Sequence, residues 1–141
     1  GHDCRYRYAR WDGGRWIDVP LAYAGTRLYP GEDDYTGLAA IDPDDVRVVY
    51  ISTNADPATG TPLRSASDGR RHYEIFRGTT GDGGTTWTWT PVTRDSTADN
   101  LRPIVPRNDG PGTLLLWLRG RYTTYVDYQQ EVVLASFPPD R

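Results

Sequence analysis

The stretch Thr80-Gly81-Asp82-Gly83-Gly84-Thr85-Thr86-Trp87 matches the pattern S/T-x-D-x-G-x-T-W at every specified position. An Asp at the third position accepts hydrogen bonds from backbone N–H groups a few residues further on, and Gly permits the positive φ that a tight turn requires. Thr and Trp are strand formers, so they open the strand that follows. The pattern therefore predicts a structural hairpin corner, not a catalytic site, formed by Thr80, Asp82, Gly84, Thr86 and Trp87.

Composition points to strands and turns on both sides of this corner. The 141 residues include 10 Tyr, 5 Trp and 15 Gly but no Met, and runs of the helix formers Ala, Leu, Glu and Lys are absent. These proportions favour β-structure. We expect an all-β protein, in which apolar or alternating runs separated by turn residues form nine strands.

The strands fall into three groups along the chain, over 1–20, 36–93 and 100–137. The first group has two strands, the second four and the third three. The long loop 24–35 separates the first two groups, and the Pro-, Gly- and Ser-rich segment 53–72 is an excursion within the second.

The eight-residue pattern is known as the Asp box, and with it the chain resembles the sialidase-like Asp-box (BNR-repeat) β-propellers. Four further segments are similar to the BNR-4 group of neuraminidase-like proteins, which includes polysaccharide lyases and glycoside hydrolases acting on acidic polysaccharides. They are Tyr-Arg-Tyr-Ala-Arg-Trp-Asp-Gly (6–13), Asp-Asp-Tyr-Thr-Gly-Leu (33–38), Leu-Arg-Pro-Ile-Val-Pro (101–106) and Leu-Trp-Leu-Arg-Gly-Arg-Tyr (116–122).

The resemblance implies four-stranded antiparallel blades, about two blades' worth of a larger propeller. Residues 1–20 would be the outer strands of one blade, 36–93 a complete blade with the Asp box, and 100–137 a partial blade. So few strands cannot close a ring. We therefore expect either a piece of a longer propeller or a chain that completes the propeller as a homo-oligomer, and the family suggests an extracellular or periplasmic location.

In such propellers the functional face lies where inner strands begin and where the loops after the second strands emerge. The resemblance places there the candidate catalytic residues Asp34, Tyr35, Arg102 and Tyr122 and the candidate substrate-binding residues His2, Asp33, Arg119 and Tyr125. Each also has a structural interpretation: the Asp pair could cap a turn, Arg102 could pair with a neighbouring carboxylate, and His2 could be an unstructured terminal residue.

Two reactions suit these residue types. A Tyr whose pKa is lowered by an adjacent Arg can move a proton, and Arg can neutralise a uronate, which fits β-elimination from an acidic sugar. An Asp with a Tyr would instead fit sialidase-like glycoside hydrolysis. The alternative to both is a non-catalytic propeller domain that binds glycan or protein.

Several classes of partner are not expected. The net charge is -3, so the surface is not basic enough to predict nucleic-acid binding. No apolar run approaches the roughly 20 residues of a membrane span. Cys4 is the sole cysteine, and neither histidine has a partner at metal-ligand spacing, so neither a metal nor another cofactor is predicted. The expected partner is a carbohydrate, with acidic sugars favoured.

Overall fold

The computed structural model describes residues 3–139, and those residues form strands, turns and loops without a helix. The strands are β1 (Cys4–Trp11), β2 (Trp16–Gly25), β3 (Ala39–Ile41), β4 (Val48–Thr53), β5 (Glu74–Thr79), β6 (Thr88–Pro91), β7 (Asp99–Ile104), β8 (Thr113–Thr124) and β9 (Asp127–Phe137). The predicted all-β class is confirmed.

The strands form three antiparallel sheets in the order β1-β2, β3-β4-β5-β6 and β7-β8-β9. Each sheet is built from neighbours in sequence, so every strand pairs with the one before or after it. The grouping of two, four and three strands agrees with the sequence. Membership of these sheets in a propeller stays a prediction.

The four-stranded sheet is the middle layer, because successive residues of its central strands β4 and β5 point to opposite faces and belong to two separate hydrophobic cores. Tyr50 and Ile75 pack with Leu115 and Trp117 of the three-stranded sheet. The next residues along, Ile51 and Phe76, pack instead with Ala22 of the two-stranded sheet. Side chains alternate between the faces of a strand. All six residues of β4 are buried for this reason.

Strand boundaries differ from the sequence prediction at β2 and β8. β2 continues through Pro20 to Gly25, beyond the predicted end of the first group at residue 20 and into the first two residues of the predicted loop 24–35. Among the described strands its only partner is β1, so the missing N–H of Pro20 interrupts no ladder on the other edge. β8 continues five residues beyond Arg119, whereas the apolar run that predicts this strand in the sequence spans only residues 113–119.

The Asp box closes its turn entirely with local hydrogen bonds. Asp82 Oδ1 accepts from the N–H groups of Thr85 at 3.0 Å and Thr86 at 2.9 Å, and Oδ2 accepts from Thr86 Oγ1 at 2.6 Å. Thr80 Oγ1 accepts from Gly84 N at 2.9 Å. Trp87 Nε1 donates to Gly84 O at 2.9 Å. Hydrogen bonds from the Thr86 hydroxyl and N–H, then from Thr80, lower the pKa of Asp82 to about 2.

We expect Asp82→Asn to lower the melting temperature at neutral pH and to flatten its acid dependence. The folded pKa lies below the ordinary value of 3.8, so the wild-type carboxylate stabilises the fold above pH 4. This contribution is lost as the pH falls through the window between 3.8 and 2. Thermal melts from pH 2 to 7 measure it, with the exposed Asp109→Asn as the matched control. Equal acid dependence in both variants would contradict the assignment.

Candidate functional site

An arginine surrounded by tyrosines lies where the loop between β2 and β3 meets β7 and β8. Arg102 Nη2 donates to Tyr35 Oη in a short hydrogen bond and to Tyr122 Oη at 3.3 Å. Its guanidinium carbon lies 5.6 Å from the Tyr35 ring centroid and 5.3 Å from that of Tyr122. Tyr29 completes the group, with its ring centroid 5.8 Å from those of both tyrosines. We call Tyr29, Tyr35, Arg102 and Tyr122 the Tyr–Arg cluster.

The backbone at Arg102 is held in an unusual conformation. Its φ is +56°, in the left-handed region that non-glycine residues seldom occupy. The Arg102 N–H donates to Gly37 O at 2.8 Å, which ties β7 to the segment just after Tyr35. Such conformations cost about 1–3 kcal/mol and concentrate at functional sites. The Arg102 side chain reaches the hydroxyl groups of Tyr35 and Tyr122 from this backbone conformation.

The loop that carries Tyr35 is fixed by its own hydrogen bonds. Leu28 N donates to Tyr35 O at 2.6 Å, and Tyr35 N donates to Glu32 O at 3.1 Å. Thr36 Oγ1 donates to Ala24 O at 2.9 Å, which fastens the end of the loop to β2. A half-buried Tyr35 thus reaches Arg102 from an ordered segment.

A polar network beneath the cluster holds β7 in place. Asn100 is 1% exposed. Its Oδ1 accepts a hydrogen bond from Trp117 Nε1 at 2.9 Å. Its Nδ2 donates to Ser96 Oγ at 3.0 Å and to Glu74 Oε2 at 3.3 Å. Glu74 Oε2 also accepts from Thr93 Oγ1 at 2.5 Å. The network joins β5, β7 and β8 two residues before Arg102.

The charge of Arg102 has no counter-ion within the described part of the chain. No carboxylate among residues 3–139 lies within ion-pair distance of it, and its Nε is buried without a hydrogen-bond partner. Buried polar groups are normally paired, and an exception calls for a reason such as a role in binding. The half-buried guanidinium is therefore a cation available to an anionic ligand.

Burial raises the pKa of the Tyr122 phenol, and its hydrogen bond with Tyr35 adds to the effect. The positive charge of Arg102 acts in the opposite direction but does not prevail. The expectation that an adjacent arginine would lower this tyrosine's pKa is wrong for Tyr122, because desolvation of a nearly buried phenolate outweighs the attraction. Tyr122 is therefore protonated at neutral pH.

Comparisons with models of known protein families, with curated proteins and with solved structures find no match to this chain. Within residues 3–139, no group of three or more His, Cys, Asp or Glu side chains is arranged to hold a metal ion. Those same residues include no helix that is long and apolar enough to cross a membrane.

The neighbouring acidic pair points away from the cluster. Asp33 forms an ion pair with Arg27, with 2.5 Å between Oδ1 and Nη1, and its carbonyl accepts from Cys4 Sγ at 3.4 Å. Burial raises the pKa of the Cys4 thiol, and the nearby Asp34 carboxylate raises it further. The exposed Asp33 and Asp34 thus lie beside Cys4 at the start of β1, not beside Arg102.

Of the other predicted residues, Arg119 lies apart from the cluster, Tyr125 lies at a turn near Tyr29, and His2 lies outside the described residues. Arg119 Nη1 lies 3.6 Å from Glu131 Oε1, and three residues of continuous register separate Arg119 from Tyr122. The two side chains therefore fall on opposite faces of β8, which contradicts the expected shared site for Arg119. Tyr125 lies between β8 and β9, 70% exposed.

The sequence reasoning missed two tyrosines. Tyr29 packs against Tyr35 and Tyr122, whereas Tyr128 pairs with Tyr122 across β8 and β9 and stacks on it with 6.4 Å between centroids. Tyr122 and Tyr128 are only six positions apart, and the turn at Tyr125 and Val126 brings them opposite each other. The sequence prediction instead placed Tyr122 and Tyr125 after the end of the strand.

Proposed function

We propose that the Tyr–Arg cluster binds the carboxylate of an acidic sugar. The observation that carries the proposal is the charge of Arg102, which has no carboxylate partner among residues 3–139 and lies among aromatic rings. A guanidinium presents N–H donors in a planar fork that matches a carboxylate. Tyrosine rings beside it offer apolar faces to the C–H face of a sugar, and their hydroxyl groups offer hydrogen bonds to its polar edge.

Within acidic-sugar chemistry the cluster favours β-elimination. Arg102 would stabilise the negative charge that develops on the uronate carboxylate when a base removes the C5 proton. The C5–H electron pair then forms the C4–C5 double bond, the C4–O4 bond breaks, and an acid protonates O4. The reaction consumes neither water nor an oxidant.

The two tyrosines suit opposite roles in this scheme. Tyr35 is assigned as the base, because its hydroxyl oxygen accepts a hydrogen bond from Arg102 and so lies beside the guanidinium that would hold the uronate. Tyr122 has a raised pKa and is assigned as the acid, since it stays protonated at neutral pH and can donate its proton to O4 as the C4–O4 bond breaks.

Sialidase-like hydrolysis receives less support, because it needs a carboxylic acid near the tyrosine. Asp33 is engaged with Arg27, and Asp34 lies beside Cys4. Binding without catalysis is the alternative, and it differs only in the outcome of an activity assay. An extracellular or periplasmic location, and assembly with further strands to complete a propeller, remain proposals that accompany this function.

We expect Arg102→Ala to weaken uronate binding about 10- to 100-fold, because hydrogen bonds to charged groups contribute about 1.5–3 kcal/mol. Calorimetric titration with galacturonic and glucuronic acids measures the affinity, and absorbance of the unsaturated product from tetragalacturonate reports elimination. Arg102→Lys keeps the charge without the fork and should be intermediate.

The matched control is Arg119→Ala, which removes the same charge from the other face of β8 and should bind like the wild type. Equal losses in Arg102→Ala and Arg119→Ala would show that only the overall charge matters and would contradict the proposed site. Uronate binding by the wild type without any unsaturated product would support the binding-only alternative.

A further inference from the structure

The strands β8 and β9 extend beyond the sheet as a two-stranded arm. β7 pairs with β8 only as far as the Asp99–Gly120 pair. β8 and β9 continue to pair with each other through Arg121–Gln129 and Tyr122–Tyr128 to Thr124–Asp127. We call residues 121–129 the arm. It begins where the Tyr–Arg cluster ends and shares Tyr122 with it.

The arm has features that fix its direction. At its root Gly120 has φ +147°, and a Cβ there would lie 2.9 Å from Gln130 Cα, so only glycine allows the two strands to approach this closely. Arg121 Nη2 lies 3.2 Å from Asp127 Oδ1, and Arg121 Nη1 donates to Thr123 Oγ1 at 2.6 Å. These contacts brace one face of the hairpin.

The other face continues the row of tyrosines outward. Tyr122 is 9% exposed and packs against the cluster, whereas Tyr128 beside it is 58% exposed. Their rings stack at 19° with 6.4 Å between centroids. Tyr125 lies at the tip, near enough to contribute to the raised pKa of Tyr29, after burial, Glu32 and Tyr35. Ring exposure therefore increases along the arm from Tyr122 to Tyr128 and Tyr125.

We propose that the arm is a second stacking subsite, which makes the site select a chain of at least two sugar rings over a single one. The proposal rests on the proposed function of the cluster. One acidic ring would bind with its carboxylate at Arg102 and its face near Tyr35 and Tyr122, and the next ring would stack on Tyr128. The ligand class is thus an oligomeric or polymeric acidic glycan.

An aromatic cross-strand pair also stabilises a hairpin, and that role alone would explain Tyr122 and Tyr128. It would not explain why Tyr128 keeps most of its surface exposed beside Tyr122, which itself contacts Arg102. The two roles make different predictions. A purely structural pair affects ligands of every length equally, whereas a subsite affects long ligands more.

The test compares galacturonic acid with tetragalacturonate by calorimetric titration of the whole chain. We expect the wild type to bind the tetramer at least about tenfold more tightly, because an aromatic stacking contact is equivalent to roughly a tenfold change in affinity. Tyr128→Ala should reduce that preference to within about threefold, and Tyr128→Phe, which keeps the ring, should restore it. Gln129→Ala on the braced face is the control and should keep the wild-type preference.

The possible outcomes distinguish the proposal for the arm from the proposed function of the Tyr–Arg cluster. Arg102-dependent binding with equal affinity for monomer and tetramer would overturn the arm while leaving the proposed function standing. A preference for the tetramer that is unchanged in Tyr128→Ala would also overturn the arm and leave the proposed function standing. Absence of binding to both probes would overturn both proposals. Far-UV circular dichroism and melting curves on each variant establish that the fold is retained. If Tyr128→Ala unfolds, Tyr128→Val, which removes the ring but keeps a strand-forming residue, carries the test and should show the same loss of preference.

Discussion

Asn100→Ala is expected to lower the free energy of unfolding by about 3–4 kcal/mol, because the change orphans a buried donor and removes a hydrogen bond to a carboxylate. Trp117 Nε1 loses its acceptor, and Glu74 Oε2 loses one of its donors. Trp117 is 6% exposed and Glu74 is 5% exposed, so water can replace Asn100 only with difficulty. The loss corresponds to a melting temperature lower by roughly 10 °C.

Urea unfolding measures the change, and two comparisons assign its cause. Asn108→Ala makes the same substitution in the turn before β8, where Asn108 bonds only Gly110 and Gly112, and should cost no more than about 1 kcal/mol. Trp117→Phe removes the indole donor, so the double variant should be less destabilised than the sum by about 1 kcal/mol. Additive effects would mean that Asn100 and Trp117 are not coupled.

The same network shows what sequence reasoning can and cannot provide. The Asp box was predictable because its hydrogen bonds span at most four residues, from Thr80 to Gly84 and from Asp82 to Thr86. The grouping of strands was predictable from turn residues and apolar runs. The bond between Trp117 and Asn100 spans 17 residues and depends on strand register, which those local patterns did not specify.

The sequence predicted which segments of the chain meet at the site, but not which residues of those segments face it. Tyr35 and Arg102 are 67 positions apart, and inner-strand positions inferred from family resemblance brought them together. Asp34 is adjacent to Tyr35 yet contacts β1, because successive residues of an irregular loop follow no fixed period. Arg119 was placed with Tyr122 because the strand was ended too early. Continued alternation along β8 assigns them to opposite faces.

Gly37→Ala is expected to disrupt the site and the fold together. Gly37 is buried against β4, and a Cβ there would lie 2.6 Å from Ser52 Cβ and 2.8 Å from the Ser52 carbonyl oxygen. Both distances are below any real Cβ contact, and backbone atoms cannot move aside cheaply. Overpacking of this kind costs about 1–3 kcal/mol or more.

The functional effect follows from what Gly37 connects. Its carbonyl accepts the Arg102 N–H at 2.8 Å, and Tyr35 lies two residues earlier in the same segment. Displacing Gly37 from Ser52 therefore separates Tyr35 from Arg102 and releases the backbone bond that supports φ +56° at Arg102. We expect uronate affinity to fall at least as much as in Arg102→Ala, about 10- to 100-fold, because the lost contacts include hydrogen bonds to a charged group.

Gly81→Ala is the matched control, because a Cβ at Gly81 meets no atom within 4 Å and its backbone does not require glycine. It should melt and bind like the wild type. Urea unfolding and uronate titration are measured on both variants, and Ser52→Gly is added to Gly37→Ala to remove the Cβ and hydroxyl that the new methyl would meet. Partial recovery of both stability and affinity in the double variant is expected. Stability regained without affinity would mean that Gly37 supports the fold but does not position Tyr35 against Arg102.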